Sequence, residues 1–103
     1  MHSERLEMRA HILKALAHPT RLFIVEQLAG GEQCVCKLQQ MVGCDMSTIS
    51  KHLSLLRGAG IVADDKRGNQ VFYTLKARCI LRVFDCVEQA VRVDMKRRAE
   101  VMG

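Results

Sequence analysis

Apolar residues recur at helical spacing in the first thirty residues and predict two helices. The first covers about residues 4–17 and ends at His18, because a residue that precedes proline avoids helical backbone angles. Pro19 suits the first position of the second helix, where its missing N–H costs nothing. The glycine pair at 30–31 ends that helix, since glycine takes the left-handed cap conformation cheaply. The predicted buried stripe of the second helix is Leu22, Val25 and Leu28.

The same spacing predicts a third and a fourth helix separated by a short turn. The third begins near Cys34 to Cys36 and runs to Met41, and Gly43 makes the turn. Asp45 is a suitable N-cap for the fourth helix, because its carboxylate can accept hydrogen bonds from free N–H groups of the first turn. Gly58 lies where the fourth helix ends. The positions predicted to face the core are Val35 and Leu38 in the third helix and Ile49, Leu53 and Leu56 in the fourth.

The pattern then changes to short extended segments and one long helix. Residues 61–66 and 70–75 read as two strands, the second alternating in period two, with 67–69 as a hairpin tip. The last helix runs over about residues 76–99 and carries two adjacent apolar stripes. The resulting apolar face is wider than one small core can cover. Such a face is typical of a helix that also packs against a partner chain. The first stripe is Ile80, Phe84, Val87 and Val91, and the second is Cys79, Val83, Cys86, Ala90 and Val93.

Length and charge narrow the class of protein. The 103 residues suffice for one domain, predicted to span 1–103, and the net charge is +5. A basic balance in so small a chain favours a polyanion such as nucleic acid, although a merely soluble basic surface is the alternative. No apolar run approaches the roughly 18 residues of a membrane span. Five cysteines form no evident disulfide framework, so we expect a cytoplasmic protein with free thiols.

The fourth helix has a polar face suited to DNA. The segment 46–57 contains no acidic residue, whereas an ordinary solvated helix mixes both signs of charge. Small serine side chains let a helix approach base edges, and cations reach phosphates or guanine acceptors. The predicted DNA contacts are Ser47, Thr48, Ser50, Lys51, His52, Ser54 and Arg57 in this helix, and Lys66, Arg67, Asn69 and Gln70 in the hairpin.

Four segments together carry a resemblance: ALAHPTRLFIVEQL, CVCKL, STISKHLSLLRGAGIV and RGNQVFYTL. They resemble the ArsR/SmtB family of bacterial metal-responsive repressors. The resemblance implies a mainly α winged helix-turn-helix fold of order α-α-α-α-β-β-α. It also implies a homodimer joined by the first and last helices, and a two-fold symmetric operator that is released when an effector binds. The expected dimer contacts are Leu6, Leu13, Ile80, Phe84, Val87 and Val91.

The Cys-Val-Cys pair is the candidate effector site. In thiol-type relatives such a pair grips As(III), Sb(III), Cd(II) or Pb(II), so the resemblance implies Cys34 and Cys36 as metal ligands and no permanent cofactor. Residues two apart on a regular helix point roughly 200° apart, so chelation requires Cys34 to lie before the helix. Arsenic sensors often carry a third cysteine where this chain has Gln39, which leaves the third ligand open. The alternative is a pair of small, partly buried hydrophobic residues.

Three further cysteines have weaker interpretations. Cys44 fits the position of a small buried residue in the turn before the fourth helix. Cys79 and Cys86 lie on one helix face at a rise of roughly 10 Å, too far apart to share an ion within one chain. Across a dimer contact they form a second candidate metal site, and the alternative is two hydrophobic interface residues.

The sequence also bears on three other functions: redox sensing, protein binding and catalysis. Some relatives sense persulfide or oxidants through a cysteine pair, and five thiols allow that chemistry here. A winged fold that binds protein rather than DNA is a further alternative. An enzyme is not predicted, since the sequence offers no Cys-His-Asn arrangement, phosphate loop or paired-carboxylate site. The sequence leaves open the effector, the operator and the regulated genes.

Overall fold

Five helices and three strands make up residues 3–102, which the computed structural model describes. The mainly helical fold with a small antiparallel hairpin confirms the predicted class. Most predicted boundaries hold to within a few residues. In chain order the elements are α1 Glu4–Leu16, α2 Pro19–Ala29, β1 Gln33–Cys34, α3 Val35–Val42, α4 Met46–Gly58, β2 Val62–Arg67, β3 Gln70–Leu75 and α5 Ile80–Met102.

Side-chain caps explain where three of the helices begin. The Ser3 hydroxyl accepts from the N–H of Leu6 at the start of α1, over 3.1 Å. His18 Nδ1 accepts from the N–H of Thr20 and caps α2, whose first residue is Pro19 as predicted. The Asp45 carboxylate accepts from the N–H of Thr48 at 2.7 Å and caps α4. Each cap satisfies an N–H group that the first turn of its helix leaves free, so these boundaries follow from local sequence.

The sheet has one strand more than the sequence predicted. The strand order is β1-β3-β2, with all neighbours antiparallel. Gln33 pairs with Tyr73, and Cys34 pairs with Phe72. The predicted start of the third helix near Cys34 to Cys36 is confirmed, since the backbone of Cys34 pairs with the free edge of β3 and α3 starts at Val35. At the hairpin tip, Gly68 takes a φ of 61°, which glycine adopts without strain.

The core lies where α2, α3 and α4 meet the base of the sheet. Ile49, Leu53 and Leu56 are at most 1% exposed, which confirms the predicted buried face of the fourth helix. The predicted stripe of the second helix is wrong in one member: Leu22 is 38% exposed, and Ile24 is fully buried in its place. The buried residues are Ala15, Leu16, Ile24, Val25, Leu28, Leu38, Ile49, Leu53, Leu56, Ile61, Val62, Tyr73, Leu75 and Ile80.

Helix α5 begins four residues later than predicted. The carbonyl of Ile61 accepts from the N–H groups of Lys76 and Ala77, which holds this segment in a turn after β3. Ile80, expected at a dimer contact, is instead buried in the chain's own core, because it lies in the first turn of α5 against that core. Beyond it, Val87 and Val91 are 56% and 45% exposed. No helix within residues 3–102 is long and apolar enough to cross a membrane.

Candidate nucleic-acid interface and thiol groove

The outer face of α4 presents small polar and basic side chains. Ser50, Lys51, Ser54 and Arg57 are exposed there, opposite the buried face of the helix. Within 3–102, Lys51 and Lys66 form no ion pair, so both are available to phosphates. The exposed face is polar and carries no acidic residue. The prediction that the fourth helix contacts DNA depends on this pattern.

The first turn of α4 is tied together by Asp45. The Ser47 hydroxyl donates to the Asp45 carboxylate at 3.0 Å, and Thr48 donates its N–H to the same oxygen. Hydrogen bonds from Thr48, and then from Ser47, lower the pKa of Asp45 below its ordinary value. Thr48 is half-buried, whereas Ser47 is exposed. Of the two predicted contacts, Ser47 is therefore the more open to DNA, and both hold the N-terminus of α4 in place.

The structure places His52 on the inner side of α4, away from the predicted DNA face. Its ring packs against that of His18 with centroids 4.6 Å apart, and its Nδ1 lies 3.3 Å from Arg21 Nη1. Arg21 also donates to the carbonyl of Ala15 at 2.7 Å. The prediction that His52 contacts DNA is corrected on this point, because its position on the helix falls beside the buried residue Leu56. It joins α4 to α2 instead.

This contact predicts a pH-dependent stability. Burial first, and then the positive charges of His18 and Arg21, lower the pKa of His52 below its ordinary value of about 6.5. The unfolded chain then binds this proton more readily, so the contribution is fully present above about pH 6.5 and is lost as pH falls below it. We expect urea unfolding to show a stability loss between about pH 7 and pH 5 that is smaller in His52→Gln. The exposed His11→Gln is the control, and an equal loss in wild type and His52→Gln would contradict the assignment.

Two of the arginines predicted to bind DNA form ion pairs within the chain. Arg57 Nη1 lies 2.8 Å from the Asp64 carboxylate. Arg67 donates two hydrogen bonds to the carboxylate of Glu32, at 2.8 and 2.6 Å, and a third to Asp65. These pairs are solvent-exposed, so water and salt screen them and each contributes little to stability. Phosphates can therefore compete for both arginines, and Arg67 links the hairpin to the segment that precedes the cysteine pair.

Cys34 and Cys36 open onto a groove of about 260 Å³ between α3, α4 and the sheet, called the thiol groove below. Cys34 is half-buried, and Cys36 is exposed. The groove brings the start of α3 together with the DNA-facing helix and the hairpin tip. Its other lining residues are Val35, Met46, Ser50, Leu53, Asn69, Gln70, Val71 and Tyr73.

The backbone at the cysteine pair meets the condition for a shared ligand. Cys34 is extended, with φ −79° and ψ 154°, and precedes the first residue of α3. The two side chains are thus free of the roughly 200° separation that a regular helix imposes. Free N–H groups in the first turn of α3 favour negative charge there. Within residues 3–102, no group of three His, Cys, Asp or Glu side chains could hold a metal ion. The groove therefore offers two cysteine sulfur atoms from that donor set.

The remaining cysteines lie apart from the thiol groove. Cys44 is half-buried against the core, as its predicted structural role requires. Gln39, at the position of the missing third cysteine, donates its side-chain amide to the carbonyl of Cys44 at 2.8 Å and holds the turn between α3 and α4. Cys79 and Cys86 are exposed and free, and their role stays a prediction.

Sequence reasoning missed three residues of this region. Glu32 clamps Arg67, Met46 lines the thiol groove, and Tyr73 pairs with β1 and also lines the groove. Burial raises the pKa of the Tyr73 hydroxyl. The one available signal was Met46, a large apolar residue at the first position of a helix whose outer face is otherwise polar.

Comparison with known proteins identifies the family. Residues 18–64 match the model described as the arsR family of bacterial regulatory proteins. The biofilm growth-associated repressor of Xylella fastidiosa is 40% identical over 79 residues, which cover 73% of this chain and 69% of that protein. This chain belongs to the ArsR family. The family match includes the helical part of the thiol groove and the whole DNA-facing surface of α4.

Solved structures agree with the ArsR fold. The crystal structure of Rv0081 from M. tuberculosis superposes with a TM-score of 0.82 at 29% identity, covering 95% of this chain and 99% of that one. Mb0332 from Mycobacterium bovis is a homodimeric winged helix-turn-helix DNA-binding domain, with a TM-score of 0.77 at 28% identity and 93% coverage of each chain. The chain is therefore a winged helix-turn-helix transcriptional regulator, and the prediction of a regulator rather than an enzyme is confirmed by these relatives.

Proposed function

We propose that this ArsR-family regulator is a cytoplasmic repressor that binds a two-fold symmetric operator and releases it when a soft metal or metalloid ion binds Cys34 and Cys36. The X. fastidiosa relative is a repressor, which supports the direction of control. The observation that carries the proposal is the thiol groove, whose walls include Ser50 of α4 and Asn69 and Gln70 of the hairpin. Sulfur ligands and DNA-facing side chains thus share one cleft.

The DNA surface in this proposal is the outer face of α4 together with the hairpin. Ser50 and Ser54 are small enough to let α4 approach base edges, while Lys51 and Lys66 neutralise phosphates. Because phosphate contacts release counterions, operator affinity falls as salt rises. A fluorescence-anisotropy titration in which affinity shows no dependence on salt would rule out this surface.

The two-fold operator requires two copies of the chain. An apolar groove of about 290 Å³ lies between α1, α2 and α5, and Leu13 and Val87 on its rim are each 56% exposed. A second copy that packs on α1 and α5 would cover these residues. The neighbour Mb0332 is homodimeric, which supports a homodimer here. Leu6, Phe84 and Val91 belong to the same proposed interface. Sedimentation equilibrium that reports only an 11.6 kDa species at working concentration would contradict it.

The thiolates of Cys34 and Cys36 match the chemistry of soft ions. Thiolate sulfur prefers soft or borderline ions to Mg²⁺ or Ca²⁺, and no carboxylate lines the thiol groove. As(III) and Sb(III), or Cd(II) and Pb(II), are the effectors that the family resemblance implies. Cys34 at the end of β1 and Cys36 in α3 would hold such an ion, which would restrain the two elements relative to each other.

The contacts of Cys34 provide a route from the thiols to the hairpin. Its backbone pairs with Phe72, and the nearby Glu32 holds Arg67 through two hydrogen bonds. A turn of Cys34 toward Cys36 therefore strains the pairing of β1 with β3 and shifts the hairpin relative to α4. A coupling of about 1–3 kcal/mol between the two sites gives a several-fold to hundred-fold change in operator affinity.

The test is a fluorescence-anisotropy titration of operator DNA with and without As(III), Sb(III), Cd(II) or Pb(II). We expect at least one ion to weaken operator binding by about 5–150-fold, the range of typical coupling free energies. A sulfur-to-metal absorption band at one equivalent should accompany the loss. If none of the four ions changes operator affinity, the proposal that the protein senses these ions is wrong.

Persulfide or oxidant sensing is the second candidate function. It is favoured by the opening of both thiols onto one groove, since a disulfide or polysulfide bridge between Cys34 and Cys36 would strain the same backbone. In the persulfide case, one thiolate attacks the sulfane sulfur of the donor and the donor's thiol leaves, which makes a cysteine persulfide. The second thiolate then attacks the cysteine-bound sulfur of that persulfide, and hydrosulfide leaves as the Cys34–Cys36 disulfide forms. Mass spectrometry after persulfide or peroxide treatment tests this candidate, and the absence of any Cys34–Cys36 link would reject it.

A further inference from the structure

Met46 lies on the wall of the thiol groove together with Cys34 and Cys36. It is the first residue of α4, and 44% of its surface is exposed although the side chain is large and apolar. The Asp45 cap, through its 2.7 Å bond from Thr48, fixes the backbone at this point. Met46 therefore lines the groove from a capped backbone position at the start of α4.

The donors of the groove are soft. Its lining includes no histidine and no carboxylate, and the sulfur atoms come from Cys34, Cys36 and Met46. Within the described residues no third His, Cys, Asp or Glu completes a metal site with the two thiols. Thiolate and thioether ligands together select soft ions, and Cu(I) above all among biological metals.

We propose that the Met46 thioether is the third sulfur donor of the Cys34–Cys36 site, which then accepts a soft monovalent ion of the Cu(I) class. The inference rests on the proposed function, because it requires the two cysteines to bind an ion. It adds a ligand from the first turn of α4, the helix that carries Ser50 and Lys51.

A third donor on α4 changes how the site acts on DNA. Cys34 and Cys36 belong to β1 and α3, so two thiolates alone reach α4 only through backbone strain. Met46 connects the site directly to the N-terminus of α4, where a small displacement shifts the side chains that face the groove of DNA. The bound ion and the bound DNA then each require their own position of α4, so the binding of one weakens the binding of the other.

The test follows the methionine methyl groups by NMR in protein labelled with ¹³C at the ε-methyl, titrated with Ag(I) as a redox-inert probe. We expect the Met46 resonance to shift up to one equivalent, while that of Met8 stays unchanged. Met46→Leu should weaken Ag(I) binding by at least about tenfold, since losing even an outer-shell partner of a metal costs about 10–100-fold. Met8→Leu is the matched control, because Met8 is 63% exposed on α1 and lies outside the thiol groove.

The outcomes separate this inference from the proposed function. If Ag(I) binds through Cys34 and Cys36 but the Met46 resonance does not move and Met46→Leu binds equally well, the third donor is overturned and the two-thiolate site stands. The Ag(I) measurements are made in the Cys79→Ser/Cys86→Ser background, because those two exposed thiols would also bind Ag(I). If adding Cys34→Ser/Cys36→Ser to this background leaves Ag(I) binding as tight as before, both proposals fall. Equal thermal unfolding of Met46→Leu and Met8→Leu shows that a weaker affinity does not come from a damaged fold.

Discussion

Serine in place of both Cys34 and Cys36 is expected to abolish effector-driven release of the operator. The substitution removes both thiolates from the thiol groove while keeping side chains of nearly the same size. The coupling free energy of about 1–3 kcal/mol between effector and DNA then falls to zero. Operator affinity without effector should stay within about twofold of wild type, because neither cysteine is fully buried and such substitutions change free energies by about 0.5 kcal/mol. Fluorescence anisotropy with and without effector measures both quantities.

The matched control is Cys79→Ser/Cys86→Ser, which also removes two free thiols but on the exposed surface of α5. This control should respond to effector as wild type does. If the variant with serine at both Cys34 and Cys36 still releases its operator when effector is added, the sensing site lies elsewhere in the protein. Loss of the response in the control variant instead would place that site on α5.

Truncation of Leu56 to alanine is expected to cause the largest loss of stability. Its side chain is fully buried on the inner face of α4, within the cluster that joins the helices to the sheet. A buried Leu→Ala change costs about 2–5 kcal/mol through lost burial and the cavity left behind. That is a large fraction of the roughly 5–15 kcal/mol by which a small domain is stable. Urea unfolding monitored by circular dichroism measures the change in the free energy of unfolding.

Leu55→Ala provides the comparison within the same helix. Leu55 is 51% exposed, so its truncation should change the free energy of unfolding by about 0.5 kcal/mol or less. Both variants must be studied at one protein concentration, because dimerisation makes apparent stability depend on concentration. Similar losses in the two variants would mean that α4 does not pack on the core through Leu56.

The sequence by itself determined the elements and the likeness to the family. Pro19 and Asp45 mark helix starts because capping and proline geometry act within a few residues. Ile49, Leu53 and Leu56 mark the buried face of α4 because helical periodicity depends on spacing alone. The Cys-Val-Cys motif was visible for the same reason, since its two thiols are neighbours in the chain.

Only the tertiary structure decided what surrounds those thiols. The bonds between Glu32 and Arg67 join residues 35 positions apart, and the pairing of Cys34 with Phe72 spans a similar distance. A two-residue strand has no periodicity of its own, so it forms only because the edge of β3 is there to accept it. The partners of His52, and the place of Met46 in the thiol groove, could not be predicted for a related reason: the neighbours of both residues come from other elements. Local spacing therefore identified the candidate thiols and the helix proposed to face DNA, and packing between distant segments placed them in one cleft.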